Sequence, residues 1–539
     1  MKKLSKIDPA TTIIPLVIIL ILCIFFVVDP EGSTAGLSSI RNFLGDDLGV
    51  YYLIVGLGVL LASLYIAFSK YGKIVLGKPG EKPQYNFFNW GAMMFTSGLA
   101  ADILFYSFCE WILYANEPHL TELGSVQDWA STIPLFHWGP IPWSFYATLA
   151  ACFGFMLHVR GCKKQKYSEA CRPILGAHTD GLAGKLVDVL AVIALIAGTA
   201  TTFSLATPLL SRAISTMFGL EASKWLTIGI LLVICLVYTV SVMRGMGGIK
   251  FLAQICMYVF FALLAYVLVL GGEARYTIET GFSAIGNLAQ NFIGLSTWTD
   301  ALRTSSFPQN WTIFYWAYWM VWCVAAPFFM GSISRGRTVK QVVLGAYIFG
   351  LGSTFISFIT LGNYSLGLQM HGRLDVMGIY AAGENLYETI IAIIHTLPVP
   401  QIVLGLLILS MVAFYATSFD SITLVASAYS YKELHSAGSG KGKAENAAAS
   451  ENAAASGNAA ASGAAAENAA SDDEPQEASA GMKLFWAILL IMLPIALLFS
   501  ESSMNNLQTV SIIAAFPIAI VIILIIASFL KDAKQYMDE

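Results

Sequence analysis

Long apolar runs separated by short polar loops extend along almost the whole chain. About twelve of these runs approach the roughly 20 residues that a helix needs to cross a bilayer. These spans 1 to 12 lie near residues 11–28, 50–68, 88–114, 141–159, 186–208, 225–243, 250–271, 311–331, 341–361, 401–430, 483–500 and 507–530. Two further apolar segments, near 282–296 and 378–396, are shorter or more polar, which predicts amphipathic helices along the surface. The pattern predicts an all-α polytopic membrane protein.

Composition supports this prediction, because 57% of the 539 residues are hydrophobic and only 12% are charged. Soluble domains carry about 25% charged residues. The first apolar run begins like a secretory signal, but it is longer than a signal core and no A-x-A-like cleavage site follows, so it is predicted to be retained as span 1. The net charge of −4 argues against a nucleic acid partner. The eight cysteines form no C-x-x-C pair and are interpreted as packing residues.

Basic residues concentrate in alternate loops. The loops after spans 2, 4 and 8 carry Lys70, Lys73, Lys78 and Lys82; Arg160, Lys163, Lys164, Lys166 and Arg172; and Arg335, Arg337 and Lys340. The intervening loops are poor in Lys and Arg. The positive-inside rule therefore predicts that both termini lie in the cytoplasm and that the chain resides in the cell (inner) membrane, in agreement with an even number of spans.

The segment between spans 10 and 11 differs from the rest of the chain. Residues 436–481 contain repeats of Ala, Asn, Ser and Glu with almost no large apolar side chain. Such a sequence cannot bury a core, so it is predicted to be a mobile cytoplasmic linker without chemistry of its own.

The first part of span 8, WTIFYWAYWMVW at 311–322, is crowded with aromatic residues. At 100° per residue on a helix, five of the rings share an arc of about 100°: Trp311, Tyr315, Tyr318, Trp319 and Trp322. Phe314 and Trp316 point elsewhere. An interfacial aromatic belt is the simplest explanation. The stripe, however, extends about 16 Å along the helix axis, and indole N–H groups facing lipid at that depth are unfavourable. The arc therefore indicates a cavity inside the protein.

A cavity walled by aromatic faces suits a quaternary ammonium ligand. Such a cation has no N–H to donate, so hydrogen bonds to its nitrogen cannot hold it, whereas each Trp or Tyr face attracts it by about 0.5–2 kcal/mol. Three or four rings supply part of the roughly 6–8 kcal/mol that a micromolar-range site requires. The aromatic box therefore predicts a small methylated ammonium substrate.

Several motifs connect the chain to one known family. WTIFYWAYW followed by SISRGRT resembles the eighth helix and the next loop of the betaine/choline/carnitine transporters. HWGPIPW at 137–143, GIKFLAQICM at 248–257 and TSFDS at 417–421 are similar to the fourth, seventh and tenth helices of that family, in the expected order. The C-terminal SFLKDAKQ is similar to carnitine-type members. The resemblance covers essentially the whole chain apart from the linker.

The resemblance implies about twelve transmembrane helices with leucine-transporter-type inverted five-helix repeats, a substrate site near the bilayer midplane and alternating access. It also implies a homotrimer. The expected divisions are two N-terminal helices (1–87), repeat 1 (88–271), a surface helix and loop (272–310), the first part of repeat 2 (311–435), the linker (436–481), the last two helices of repeat 2 (482–531) and a short tail (532–539).

By motif position, the ammonium box of the family maps onto spans 4 and 8. The corresponding residues are Trp138, Trp143, Tyr146, Tyr318, Trp319 and Trp322. Tyr318 departs from the usual Trp, but it keeps an aromatic face and adds a hydroxyl that could contact a substrate oxygen. Trp311 and Tyr315 match aromatics nearer the start of the helix and are expected along an access path.

Span 3 contains an intramembrane acid within TSGLAADILFY, at 96–106. In the family this segment reads G-x-G-x-G in sodium-coupled members, and its last glycine is Asp in proton-coupled choline-type members. Asp102 occupies that position. An Asp at the centre of a membrane helix costs at least about 2.5–3.5 kcal/mol, which makes it a functional candidate. Since burial disfavours the charged form and a nearby cation favours it, Asp102 is expected to carry a proton, to act as counter-ion of a cationic substrate, or both. The alternative is a structural Asp, which is the expectation for Asp188, Glu110 and Asp420.

Two other transport modes stay open. The second cation position of sodium-coupled relatives maps onto Thr96, Leu99, Phe414, Thr417 and Ser418. Thr417 and Ser418 keep the hydroxyls of that position, so a sodium ion at these residues is a second possibility. Carnitine-type exchangers replace the cations with a Met and an Arg, where this chain has Ala326 and Cys256. Exchange of the carnitine/butyrobetaine type is therefore disfavoured.

Other classes of function have weaker support. The sequence contains neither a nucleophile elbow nor H-E-x-x-H, so the chain is predicted not to be an enzyme and to need no cofactor besides a coupling proton or sodium ion. A membrane sensor of quaternary ammonium ligands is the alternative of a different class, but no signalling domain accompanies the spans. The short tail favours nutrient uptake over osmoregulation. The sequence thus predicts a proton-coupled transporter of a choline-like compound, with sodium-coupled betaine symport as the main alternative.

Overall fold

The computed structural model describes residues 7–162, 164–243, 246–383, 385–432, 478–498 and 503–539. Helices account for nearly all regular structure in these ranges. The extended pairings among the described residues are two isolated bridges, Ile7 with Tyr431 and Val75 with Thr338. The all-α class predicted from the hydropathy pattern is confirmed.

Each predicted span coincides with a helix or a group of helices. The continuous ones, spans 1, 2, 5, 6, 7, 10, 11 and 12, are Pro9–Val28, Gly49–Phe68, Leu182–Phe218, Lys224–Met243, Met246–Leu270, Pro400–Tyr429, Ala480–Leu497 and Ser503–Asp538. By length and apolar composition alone, seven helices in the described ranges are able to cross a membrane, or up to ten if each bent pair counts as one.

The other four spans are interrupted. Span 3 consists of Phe87–Thr96 and Ala101–Tyr114; span 4 of Val126–His137 and Pro140–His158; span 8 of Pro308–Thr312, which is π-helical, with Ile313–Trp322 and Ala326–Ser332; and span 9 of Val339–Gly345, Ala346–Leu351, Gly352–Ser357, Phe358–Gly362 and Asn363–Met370, of which the second and fourth are π-helical. Further helices connect the spans: Pro30–Arg41, Pro118–Leu123, Tyr167–Ala170, Arg172–Leu175, Ala274–Thr297, Val376–Ala381 and Leu386–His395.

The outer helices present apolar side chains to their surroundings, as a lipid-facing surface requires. Ile54 and Leu61 in span 2 are 65% and 64% exposed. The buried share of residues distinguishes peripheral from central helices. In the most apolar part of each helix, 22% of the residues of span 1 are buried, compared with 89% of those of span 5. Span 5 therefore crosses the interior, and spans 1 and 2 lie at the edge.

The break in span 3 follows from its sequence. The hydroxyls of Thr96 and Ser97 donate to carbonyls of the preceding turn, at 3.1 Å to Ala92 and 2.7 Å to Met94, and so satisfy acceptors at the end of the first half. Ala100 is extended, at φ −131° and ψ 165°, and the second half begins at Ala101. The two halves meet at an angle of 66°.

The break in span 8 has a different cause. Pro327 stands in the first turn of Ala326–Ser332, where the missing N–H of proline is tolerated, but it cannot continue the helix that ends at Trp322. The halves are bent by 51°. Both interruptions leave backbone that is not in regular helix, which membrane proteins tolerate where it lines a cavity.

The first predicted surface segment, near 282–296, belongs to the longer helix Ala274–Thr297, which turns by 111° from the end of span 7. Its outer face carries Phe282 and Ile293, 81% and 66% exposed. The second, near 378–396, is divided into Val376–Ala381 and Leu386–His395. Most of the predicted linker lies outside the described residues, and the helix of span 11 begins at Ala480.

Candidate functional site

A cavity of about 170 Å³ lies between the interrupted helices. One water requires about 10–15 Å³ of such space, so the cavity has room for a small organic molecule. The break of span 3 forms one wall, and residues of spans 4, 7, 8 and 10 form the others. The lining residues are Thr96, Ser97, Gly98, Leu99, Ala100, Asp102, Ile103, Trp138, Tyr146, Cys256, Tyr318, Trp319, Trp322, Ala325, Ala326, Phe329, Phe414, Ser418 and Ile422.

Five of the predicted box residues line this cavity: Trp138, Tyr146, Tyr318, Trp319 and Trp322. Trp319 is the central ring. Its centroid lies 5.7 Å from that of Trp138 and 4.9 Å from that of Tyr146, with interplanar angles of 72° and 64°. Rings at such angles present faces in different directions, which is the geometry that encloses a rounded cation.

Trp143, the sixth predicted box residue, is fully buried behind the wall and does not line the cavity. Its ring lies 5.2 Å from that of Trp319, and its N–H donates to Thr354 Oγ1 at 3.3 Å. A Cβ on Gly98 would stand 2.1 Å from this ring, and so would a Cβ on Gly350. Glycine at both positions lets the indole support Trp319 from behind.

The two aromatics nearer the start of span 8 also lie away from the cavity. Tyr315 stacks on His137 with centroids 4.6 Å apart, and Trp311 meets Tyr114 edge to face at 5.5 Å. The structure therefore divides the stripe of aromatic residues: its second half lines the cavity and its first half packs against spans 3 and 4. Trp311 belongs to the π-helical turn 308–312, where a regular period of 100° per residue does not apply.

Asp102 is the second residue of the helix Ala101–Tyr114 and is 2% exposed. Its Oδ2 accepts a hydrogen bond of 2.5 Å from the Tyr318 hydroxyl, which also pairs with Thr202 Oγ1 of span 5. Within the described ranges its Oδ1 has no hydrogen-bond partner. The start of the helix and the Tyr318 hydroxyl thus hold one oxygen of the carboxyl group in place and leave the other unbonded. The sequence predicts that the Tyr318 hydroxyl contacts a substrate oxygen, whereas in the structure it donates to Asp102. Thr202 is not predicted from the sequence, because it is one of several hydroxyl residues in span 5 and belongs to no distinguishing motif.

Comparison with known proteins identifies the chain's relatives. A family model described as "BCCT, betaine/carnitine/choline family transporter" matches residues 10–445 and 455–538. The chain belongs to this family. The glycine betaine transporter OpuD of Bacillus subtilis (strain 168) is 28% identical over 522 residues, which cover 95% of this chain and 92% of that protein. A substrate-bound, outward-open Na⁺-coupled sialic acid symporter has 13% sequence identity and a TM-score of 0.42 over 91% of this chain and 86% of that one.

Membership in the betaine/carnitine/choline family confirms the predicted fold class, a polytopic membrane protein of about twelve helices with leucine-transporter-type inverted repeats. Spans 3 and 8, which are predicted to be the first helices of the two repeats, are both broken. The two breaks border the same cavity, as expected for equivalent elements of two repeats.

Four of the five residues predicted to form a second cation position lie at this cavity. Thr96, Leu99, Phe414 and Ser418 all line it, while the side chain of Thr417 lies outside the described part of span 10. Thr96 Oγ1 already donates to Ala92 and Met93. Cys256 and Ala326, which are predicted to stand at the positions of the exchangers' Arg and Met, are also part of the wall. Neither provides a charge.

The remaining intramembrane acids have different surroundings. Asp188 accepts from the backbone N–H and hydroxyl of Ser168, at 3.1 and 2.9 Å, and lies 3.8 Å from Lys166 Nζ, which fits a structural role. Glu110 is buried beside the box and accepts from the indole of Trp138. Asp420 has no described side chain.

Proposed function

We propose that this family member is a secondary transporter for a small quaternary ammonium compound with a net positive charge, with choline as the best match, that it works by alternating access, and that Asp102 couples transport to protons. One observation carries the proposal: Asp102 and the five aromatic residues of the box line the same cavity, and Asp102 is the only charged residue among the described residues of its wall. The cavity therefore combines a box for methyl groups with one negative charge.

The aromatic rings account for recognition of the ammonium. Trp138, Tyr146, Tyr318 and Trp319 are all at most 5% exposed, so a cation among them is largely desolvated. Desolvated cation–π contacts reach about 2 kcal/mol each, and three or four supply much of the roughly 8 kcal/mol of a micromolar site. The carboxylate of Asp102 adds attraction that a neutral ligand of the same shape would lack.

The charge balance of the cavity favours choline over betaine. Betaine carries a carboxylate of its own, and no Lys, Arg or His is found among the described residues that line the cavity. A betaine carboxylate would meet the like charge of Asp102 without a cationic partner. The name of the relative OpuD supports transport of glycine betaine in that protein, which makes betaine the natural competitor of choline in any test.

Two roles of Asp102 predict opposite effects of pH. If Asp102 carries the transported proton, an inward acid gradient drives accumulation of substrate. If Asp102 is solely the counter-ion of the substrate, proton and substrate compete for the same negative charge, and external acid weakens uptake. The proton-carrier role is the primary proposal. The counter-ion role is the second candidate, because Asp102 is the only charged residue among the described residues that line the cavity.

Sodium coupling is the main alternative for the driving ion. Thr96, Leu99, Phe414 and Ser418 gather around one side of the cavity, so oxygens of spans 3 and 10 are available there. Exchange without ions has less support because Cys256 and Ala326 provide no fixed charge. A sensor that binds without transporting is the alternative of a different class. Homotrimeric assembly and cytoplasmic termini in the cell membrane are further parts of the proposal, as is the absence of enzymatic activity.

Uptake by the purified chain in proteoliposomes tests this function. Labelled choline, glycine betaine and carnitine are offered under an inward proton gradient, an inward sodium gradient, or neither. The proposal expects concentrative choline uptake with the proton gradient alone. Binding of these compounds without uptake under any gradient would identify a sensor, and a strict sodium requirement would move the coupling to the span 3 and span 10 oxygens.

A further inference from the structure

Glu110 lies two turns beyond Asp102 on span 3, is fully buried and does not line the cavity. Both of its carboxyl oxygens form hydrogen bonds of 2.7 Å. Oε2 accepts from Nε1 of Trp138, and Oε1 accepts from the hydroxyl of Tyr114. Trp138 is a wall of the aromatic box, so a buried acid is attached directly to one of the rings proposed to hold the substrate.

The bond to Trp138 has one possible polarity. An indole nitrogen is an obligate donor, so Oε2 of Glu110 is the acceptor whatever the state of the rest of the carboxyl group. By contrast, the indole nitrogen of Trp319, the central ring, has no hydrogen-bond partner among the described residues. Of these two indoles, Trp138 is therefore the one whose orientation in the box is fixed by a hydrogen bond.

The same acid belongs to a chain of buried contacts that joins three spans. The Tyr114 hydroxyl lies 2.9 Å from Nδ1 of His137, and Nε2 of His137 lies 3.1 Å from Oγ1 of Thr312 at the start of span 8. His137 Nδ1 is also 3.6 Å from Glu110 Oε1. These contacts immobilise the Glu110 carboxyl, which in turn fixes the indole that it holds.

An acceptor at the N–H edge of an indole affects the faces of the ring as well as its orientation. The ring attracts a cation through its negative faces and positive edge. The Oε2 atom of Glu110, which accepts from Nε1 of Trp138 at 2.7 Å, polarises the indole so that electron density shifts toward the faces of the ring. The negative end of Glu110 thus strengthens the ring that faces the ammonium, and it does so from outside the cavity.

We propose that Glu110 is a positioning residue that sets the affinity and selectivity for the positively charged head group by acting through Trp138, an inference that rests on the proposed function. A ligand of equal shape without the positive charge gains from the shape of the box but not from this polarisation. The ratio of affinities for an ammonium ligand and its neutral carbon isostere is therefore the quantity that Glu110 controls.

The test measures binding to the purified full chain by titration calorimetry, using two pairs of probes. Choline is compared with 3,3-dimethylbutan-1-ol, and glycine betaine with 3,3-dimethylbutanoate. Glu110→Leu removes the acceptor of the indole N–H at similar volume, and Trp138→Phe keeps a ring but removes the N–H. Each change is expected to lower the ammonium-to-isostere ratio about 3- to 10-fold. The double variant is expected to lower it no further than Trp138→Phe alone, because the effect passes through the indole N–H.

A matched control uses a buried indole of span 3, the span that carries Glu110. Trp111 Nε1 donates to Ser365 Oγ at 2.6 Å, and neither residue lines the cavity. Ser365→Ala removes an acceptor from a buried indole of span 3, yet it is expected to leave the ratio unchanged. Thermal unfolding of every variant shows whether the fold persists.

The outcomes separate the inference from the function on which it rests. Equal loss of affinity for both members of a pair in Glu110→Leu, or additive effects in the double variant, would show that Glu110 only supports the fold. A wild-type chain that binds neither choline nor glycine betaine would overturn the proposed function and this inference together. Wild-type binding with an unchanged ratio in Glu110→Leu overturns the inference alone.

Discussion

Replacing Trp319 by Leu should weaken choline binding strongly, because this indole is the centre of the box. Trp319 is 4% exposed, lines the cavity and contacts the rings of Trp138, Trp143 and Tyr146 at 5.7, 5.2 and 4.9 Å. Its own cation–π contact is worth up to about 2 kcal/mol when desolvated, and loss of support for three neighbours raises the total to roughly 2–3 kcal/mol. Since 1.4 kcal/mol corresponds to a factor of ten, the dissociation constant should rise roughly 30- to 150-fold.

Trp316→Leu is the matched control. Trp316 belongs to the same helix, is also fully buried, and packs against Phe136 and Gly56 rather than the cavity. In the part of the chain that the structure describes, neither the indole nitrogen of Trp316 nor that of Trp319 has a hydrogen-bond partner. Both substitutions therefore remove the same volume without breaking a hydrogen bond to these residues. Titration calorimetry with choline, combined with thermal unfolding, separates binding from stability. Equal losses of affinity in the two variants would refute the assignment of the cavity as the substrate site.

Three further predictions concern two residues that support the site and the linker between spans 10 and 11. Tyr318→Phe keeps the ring but removes the donor to the buried carboxyl group of Asp102, so competition binding at pH 8 should show the selectivity for choline over betaine falling about tenfold. The control is Tyr415→Phe, which removes a hydroxyl that lies 2.8 Å from Thr207 Oγ1 and does not line the cavity, and it should leave the selectivity unchanged. A larger loss of selectivity in Tyr415→Phe than in Tyr318→Phe would contradict the proposed contact. Gly98→Ala should weaken choline binding and lower stability by about 1–3 kcal/mol, because its Cβ would stand 2.1 Å from a packed indole, whereas Gly58→Ala meets nothing within 4 Å and should be neutral in the same assays. Deletion of 440–478 should leave the initial uptake rate of inserted protein unchanged, and a large fall would assign this segment a role.

The positions of the spans were predictable because membrane helices leave a strong signal in a single sequence. A run such as 50–68 is long and uniformly apolar, and the corresponding helix is Gly49–Phe68. Helix interruptions leave a weaker signal. Pro327 indicates where span 8 must be broken, but in span 3 a short run of Thr, Ser and Gly is compatible with either a continuous or a broken helix. The residues alone do not decide between the two in span 3.

Within the site, helical periodicity placed Trp319 and Trp322 together on one face but could not decide how far the cavity extends along the helix. Trp143 illustrates the limit, since whether a buried indole lines a cavity or supports its wall depends on neighbours such as Gly350, more than 200 residues away. The pairing of Tyr318 with Asp102 likewise joins residues 216 positions apart. Contacts of this kind depend on tertiary packing, which local sequence patterns do not encode.

The most direct test of the central claim is uptake of choline and glycine betaine into proteoliposomes, comparing the wild type with Asp102→Asn at two external pH values, with and without sodium. The account predicts that an inward acid gradient drives choline accumulation in the wild type without sodium, and that Asp102→Asn removes both this pH dependence and the preference for choline. External acid that weakens choline uptake in the wild type would instead assign Asp102 the role of counter-ion. If Asp102→Asn retained the pH dependence and the choline selectivity of the wild type, both roles of Asp102 would be wrong.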